Sequence, residues 1–510
     1  MNKTLTITFI ATLVSMEALA QTDDGYRKTF DDFKHQSTKE FYNFRQEANM
    51  KYADFLQKAW KEFKMLPAIA KPEDKPIPPV IATPEEKRKP PVNNPITIRE
   101  LIRPVIPEPQ PQPIAPIKPS IDNLPETPLP RLTPQDKPLP KTQPSVPTLT
   151  IKLYGTEMTV HICDEMRFSV KPNEKDIARA WRHLSKPMSD MTIYDCLQLR
   201  DRHNLSDWAY LRLLNAISES FLGIDTDEAE LLKAFLFCQS GYKMRLALAD
   251  NKLTMLYGSR YIIHGKLGWS QDDIRYYSDR GKINRVYICQ AKFPGEQPMS
   301  PTITTCQRFA DTPSSPRTIA SASGVEIKSS INSNYMAFCE EFPSSQYGED
   351  HITRWAIYAD TPTSTAMHTQ LYPQLRKSIE GLSDYDAVNQ LCNWIQTGFE
   401  YEYDDKVWGH DRAFFADETL YYPYCDCEDR SILLTRIVRD LLNLPCALVY
   451  YPGHLSTAIA LGEDAKGDYL RIDGKKFLIC DPTYINAPIG RTMPGMQNDT
   501  AKAILLKMPN

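Results

Sequence analysis

The spacing of apolar residues changes several times along this chain, and each change marks an element. Between residues 26 and 63, Tyr26, Phe30, Phe33, Phe41, Phe44, Ala48, Tyr52, Phe55, Ala59 and Phe63 recur mostly at steps of three and four, with Lys, Asp, Glu and Gln on the other face. That period predicts one amphipathic helix over 26–63. The stripe has three readings: packing on the protein's own body, pairing with a second copy, or docking a partner. Residues 67–147 then lose all periodicity, holding 24 of the 41 prolines and no glycine. Proline lacks an amide donor and fixes φ, so such a stretch cannot build helix or sheet ladders. A polyproline spacer is expected, reaching on the order of 250 Å if fully extended.

Periodicity resumes at Thr148. Residues 148–154 and 159–162 read as strands, and 174–184 as a helix capped by Asn173. Residues 208–221 and 227–238 have helical spacing, and 243–249 and 252–257 read as strands about Asp250-Asn251. Residues 301–374, rich in Thr, Ser and Pro up to about 345, read as a β-rich connection. After a helix over 371–382, Ser383 caps another with the stripe Tyr385, Val388, Leu391, Cys392 and Ile395. Ile432, Leu433, Ile437, Val438, Leu441 and Leu442 mark a helix over 429–442 that Asn443 and Pro445 end. Strands follow over 446–451, 455–461, 469–472 and 476–480, the last two flanking the hairpin signal Asp473-Gly474. Segment 228–257 echoes 428–459: acidic start, apolar helix, turn, two strands. Taken as a repeat, the middle region is a chemically silent copy of the last one; taken as chance, it is a separate α+β region.

Composition narrows the function classes. Net charge is −4, and no basic tract is long enough to track a phosphate backbone, so nucleic acid is not expected as a partner. Lys3, the apolar stretch 5–14 and Ala18-Leu19-Ala20 form a signal-peptide pattern, and the apolar stretch is too short to span a bilayer. Export to the periplasm or beyond, without a membrane span, is therefore expected. Six segments result: signal peptide 1–20, amphipathic helix 21–66, Pro-rich linker 67–147, middle α+β region 148–300, β-rich connection 301–374 and a final domain 375–510. The eleven cysteines are odd in number and scattered; most, Cys238 and Cys392 among them, fit buried free thiols.

Three residues stand out chemically. Cys427 lies at the start of the 429–442 helix, His454 follows Pro452-Gly453 at the head of a strand, and Asp481 leaves a strand before Pro482. The two intervals are 27 residues each. A thiol nucleophile, a base and a carboxylate that orients the base are the parts needed to attack an amide. Helix-start amides favour a thiolate and can hold an oxyanion, whereas Asp426, Glu428 and Asp429 oppose the thiolate. Cys425 is a rival thiol, as packing residue or redox partner. A different assembly of these types, Cys425, Cys427, His454 and Cys480 around a metal, has tighter spacing than zinc sites use. No metal and no cofactor are expected.

The segment Cys425-Asp426-Cys427-Glu428-Asp429, the later histidine and Asp481-Pro482-Thr483, with the upstream Phe399-Glu400-Tyr401, resemble the transglutaminase-like cysteine acyltransferases and hydrolases over about residues 375–490. The text around 407–431 resembles the exported Bacteroidetes members of that family. Cys425 stands where the family has glycine. The resemblance implies a papain-like α+β core, with the nucleophile helix against an antiparallel sheet that carries base and carboxylate. It also implies a thioester route on protein or peptide amides, with Cys427 as nucleophile, His454 as proton shuttle and Asp481 holding its tautomer. Gln396 and Trp408 are further oxyanion candidates, against their ordinary reading as packing and surface residues. The alternative is a non-catalytic binding or scaffold protein on the same fold, which the spacer and first helix suit.

Overall fold

A computed structural model describes residues 24–72, 76–103, 147–279, 283, 285–496 and 500–509. The expected signal peptide and the proline-rich residues 104–146 lie outside the described residues. The architecture is mixed α+β. Among the described residues, no helix is long and apolar enough to cross a membrane.

The first helix spans Asp24–Leu56 and stops seven residues before the expected end. Residues Lys61–Phe63 instead form a strand antiparallel to Val286–Ile288. The apolar residues at 55, 59 and 63 fit a helix equally well, but the exposed edge of a sheet offers partners for the backbone amides there. The last turns of the helix, from Ala48 to Leu56, pack on the body of the protein. Tyr52 stacks near Trp181 at 4.8 Å and Phe293 at 5.7 Å. The buried Asn49 accepts from Trp181 Nε1 at 3.0 Å and donates to Gln239 at 2.9 Å. Phe44 and Phe55 stay about half exposed, at 53% and 48%.

Two helix-plus-sheet units follow, and they share one topology. In the first, the helix Asp227–Gln239 precedes strands Met244–Ala249, Lys252–Ser259, Gly268–Gln271, Ile274–Tyr277 and Val286–Ile288. In the second, the helix Cys427–Leu442 precedes Cys446–Tyr451, His454–Ile459, Asp468–Ile472, Lys475–Cys480 and Lys502–Leu505. Counted from the helix, both sheets run fifth, first, second, fourth, third, every neighbouring pair antiparallel. The 472–475 hairpin turns through Asp473 at φ +51° and Gly474 at φ +78°, the left-handed pair that matches strand twist.

Two expected boundaries change. The proline-rich stretch is not a free spacer from residue 67. Asn94–Pro95 and Glu100–Ile102 run parallel to the outer strands of the second sheet, and Val80–Ile81 runs beside Tyr484–Ile485. Proline sits on these edges because an edge strand can do without one donor. Nor is 301–374 β-rich. Besides the hairpin Arg317–Ala320/Glu326–Ser329 it carries helices Ser333–Glu341 and Thr353–Asp360. Asn332 caps the first of these, and Tyr335, Met336, Phe338 and Cys339 bury its inner face, an apolar stripe that the surrounding Ser and Thr obscure in sequence.

Candidate active site

The 427–442 helix follows Asp426, which is extended, and Cys427 takes the first helical position. Its geometry is fixed by Asp429, whose carboxylate accepts from Asp426 N at 3.2 Å and from Phe414 N at 2.8 Å. Buried Arg430 donates to Phe399 O at 2.8 Å, Gln396 O at 3.3 Å and Pro482 O at 3.4 Å, tying the helix to both flanking loops. Ser431 Oγ donates to Leu455 O at 2.8 Å, which fastens the helix to the histidine strand.

His454 opens that strand. The two-residue turn Pro452-Gly453, with Gly453 at φ +79°, returns the chain so that His454 faces Tyr451 across the ladder. Its Nε2 lies 2.8 Å from Asp481 Oδ2. The other Asp481 oxygen accepts from Thr483 N at 2.8 Å and Tyr484 N at 3.2 Å. A carboxylate on Nε2 selects the tautomer with the proton there, leaving Nδ1 a lone pair. That Nδ1 is buried and has no hydrogen-bond partner. Cys427, His454 and Asp481 are 3%, 1% and 4% exposed.

The thiol itself points elsewhere. Cys427 Sγ donates to Glu428 Oε2 at 3.3 Å, not to His454. The Leu455 amide, one residue past the histidine, also reaches the sulfur and favours its ionised form. Burial, then the charges of Glu428 and Asp426, outweigh it and hold the thiol well above the ordinary range. Asp481 goes the other way. Burial alone would raise it, but the His454 charge and the hydrogen bonds from His454 and Thr483 keep it below the usual carboxylate range. The thiol thus bonds to Glu428 while the imidazole bonds to Asp481 and keeps its second ring nitrogen without a partner.

Sequence reasoning missed how acidic the surroundings are. Asp404, Asp411 and Glu428 offer oxygens within 4.8 Å of one another, and Asp426, Cys427 and Glu428 form a second such group. Burial and the charge of Glu428 push Asp404 up to about 8. Burial and neighbouring carboxylates raise Asp426, Glu428 and Asp429 as well. Two cations offset the cluster: Arg354 Nη2 lies 2.8 Å from Asp411, and Lys71 Nζ lies 3.3 Å from it. Asp404 opens the one-turn helix Asp404–Val407 and Asp411 lies in the loop after it, neither with a pattern that marks it, so only the contacts reveal them. Cys425, His454 and Cys480 belong to neither ligand group, so the four-residue metal site weighed from sequence is not assembled.

The remaining candidates take other roles. Gln396 is buried behind Asp481, its Nε2 donating to Asp481 O at 2.9 Å and Ala487 O at 3.2 Å, while its oxygen accepts from Asn486 N at 3.1 Å. With both N–H groups engaged it braces the aspartate loop and is not free to hold an oxyanion. Trp408 packs on Phe414 and Tyr422 with Arg412 over its ring at 4.4 Å, and none of these partners is Cys427, His454 or Asp481. Cys425 is a packed thiol, donating to Glu400 O at 3.7 Å. All eleven cysteines are free.

Comparison with protein-family models, curated proteins and solved structures returned no match.

Proposed function

We propose that the chain is an exported transglutaminase-like cysteine enzyme that attacks protein or peptide amides, on a papain-like core formed by the 427–442 helix and its sheet. One observation carries this reading: an imidazole locked by Asp481 at 2.8 Å, with its second nitrogen buried and unpartnered, on the strand whose Leu455 amide reaches the sulfur of Cys427 at a helix start. A buried ring nitrogen without a hydrogen-bond partner is free to accept a thiol proton.

The chemistry begins with rotation of the Cys427 side chain from Glu428 toward His454 Nδ1. The thiol proton passes to Nδ1, and the imidazolium is stabilised by Asp481. The sulfur attacks the carboxamide carbon, and the oxyanion meets amides at the helix start. His454 then protonates the leaving nitrogen; the C–N bond breaks, and ammonia or an amine departs from a thioester. Water, deprotonated by His454, hydrolyses that thioester to an acid; an amine instead converts it to a new amide. Either outcome restores the thiol.

The resting geometry gives a second reading its own support. A neutral Cys427 donating to Glu428 is what a scaffold retaining the fold without the chemistry would also show. Incubation with a peptide library and a labelled amine separates them. The wild-type chain cleaves amides or incorporates the amine, and Cys427→Ala does neither; a wild type as inert as the variant leaves the scaffold.

A further inference from the structure

The three triad residues are buried, yet a substrate must reach them, so what covers the site matters. One stretch of chain touches the surroundings of every member. Ile69 O accepts from Gly265 N at 2.9 Å, on the first unit. Two residues on, Lys71 reaches Asp411 in the acidic cluster that includes Glu428, and Pro72 O accepts from Arg354 at 3.1 Å. Ile77 N donates to Gly453 O at 2.8 Å, immediately before His454. Val80–Ile81 pairs in parallel with Tyr484–Ile485, just beyond Asp481, and Ala82 N donates to Ile485 O at 2.9 Å.

These contacts share a character. Apart from Lys71 they use backbone groups, and Pro76, Pro78 and Pro79 keep the chain extended. An extended backbone held by main-chain hydrogen bonds beside a nucleophile is how a peptide substrate lies in a cleft. Lys71 supplies the positive charge that the surrounding carboxylates lack.

We propose that residues 69–72 and 76–82 form a strap that occupies the peptide cleft of this same chain, and that Cys427 becomes accessible when the strap leaves. The inference rests on Cys427 being the site nucleophile, but it concerns access and not turnover. The strap regulates the site as a competitor: a polypeptide that binds the edge at 484–485 and the carboxylates at Asp411 displaces it.

Alkylation of the full-length chain tests this without an activity assay. Iodoacetamide labelling at pH 7.5, read thiol by thiol by peptide mass spectrometry, compares wild type with the double variant Lys71→Glu/Ile77→Pro, which removes the ammonium and the Ile77 donor. The strap predicts Cys427 labelling at least fivefold faster in the variant, with Cys392 and Cys480 unchanged. A synthetic peptide of residues 66–82 should bring the rate back down. If the double variant loosens the fold and raises all three thiols, Lys71→Gln alone is read by the same criterion. A smaller rise at Cys427 in a folded variant, or no slowing by the peptide, overturns the proposal. Fast labelling of a variant that turns over no amide would leave the strap standing and remove the enzyme reading.

Discussion

The two helix-plus-sheet units have the same strand order, and their corresponding positions carry different chemistry. The first helical position is Asp227 in one and Cys427 in the other. The residue that opens the second strand after a two-residue turn is Lys252 in one and His454 in the other. Even the contact between helix start and strand is kept. Asp227 accepts from Leu253 N at 2.9 Å, and the sulfur of Cys427 is met by the amide of Leu455. In the first unit, however, Lys252 turns outward to Asp225 at 3.0 Å, both more than half exposed. The carboxylate after its fourth strand, Asp279, is bound by Lys266. The fold alone therefore does not make a site. It brings a helix start against a strand head in both units, and the second unit is the one that carries a thiol, an imidazole and a carboxylate at these positions.

The largest expected effect separates the units by activity. His454→Ala or Asp481→Asn should lower amide turnover by about 10²–10⁴-fold, because each removes proton transfer or the tautomer that permits it. Asp227→Ala, at the position matching Cys427, should leave turnover within about twofold of wild type in a steady-state assay. Equal losses from both units would mean that the first contributes to the chemistry and that the contrast drawn from its side chains is mistaken.

A smaller effect should appear in stability against pH. Asp404 is raised to about 8, and Asp426, Glu428 and Asp429 are raised too, all by burial first. A carboxyl whose folded pKa exceeds its unfolded value stabilises the fold fully below about pH 4, and that contribution is lost as pH rises toward the folded value. Asp481, held low, works in the opposite sense, but only as pH falls through its depressed value. Between pH 4.5 and 8 the second unit should thus lose protection. Hydrogen exchange should quicken at the 427–442 helix relative to the 227–239 helix, and Asp404→Asn should flatten that trend. Exchange that rises equally in both helices would show that the acidic cluster does not set the slope.

How much of this was legible beforehand follows from where each signal resides. Long periodic segments were readable: the helix expected over 429–442 and found over 427–442, its Asn443 stop and the Asp473-Gly474 hairpin each carry a local pattern. Cys427, His454 and Asp481 were marked by three local contexts, and the structure joins His454 to Asp481 while Cys427 bonds to Glu428. The strands at 61–63, 94–95 and 100–102 were not, because two or three residues hold no period and their pairing is decided by a distant edge. Nor was the orientation of the thiol. Glu428 was recognised as an opposing charge, but that it accepts the Cys427 proton depends on side-chain geometry. Gln396 went the same way: its type suits an oxyanion donor, and only its partners show it bracing Asp481.

The smallest expected effect is also the sharpest test of the correspondence between units. Lys252 occupies the place of His454, yet its partner Asp225 is 67% exposed and its own side chain 53%. An ion pair in that setting contributes little, since solvent screens the charges and two long side chains lose freedom to meet. Lys252→Ala should shift stability by no more than about 0.5 kcal/mol in a denaturant titration, and leave amide turnover unchanged. On the proposed mechanism the same substitution at 454 removes the base. If Lys252→Ala instead slowed turnover severalfold with stability intact, the first unit's strand head would be part of the site, and the division into a reactive and a silent unit would fail at the position where the two are most alike.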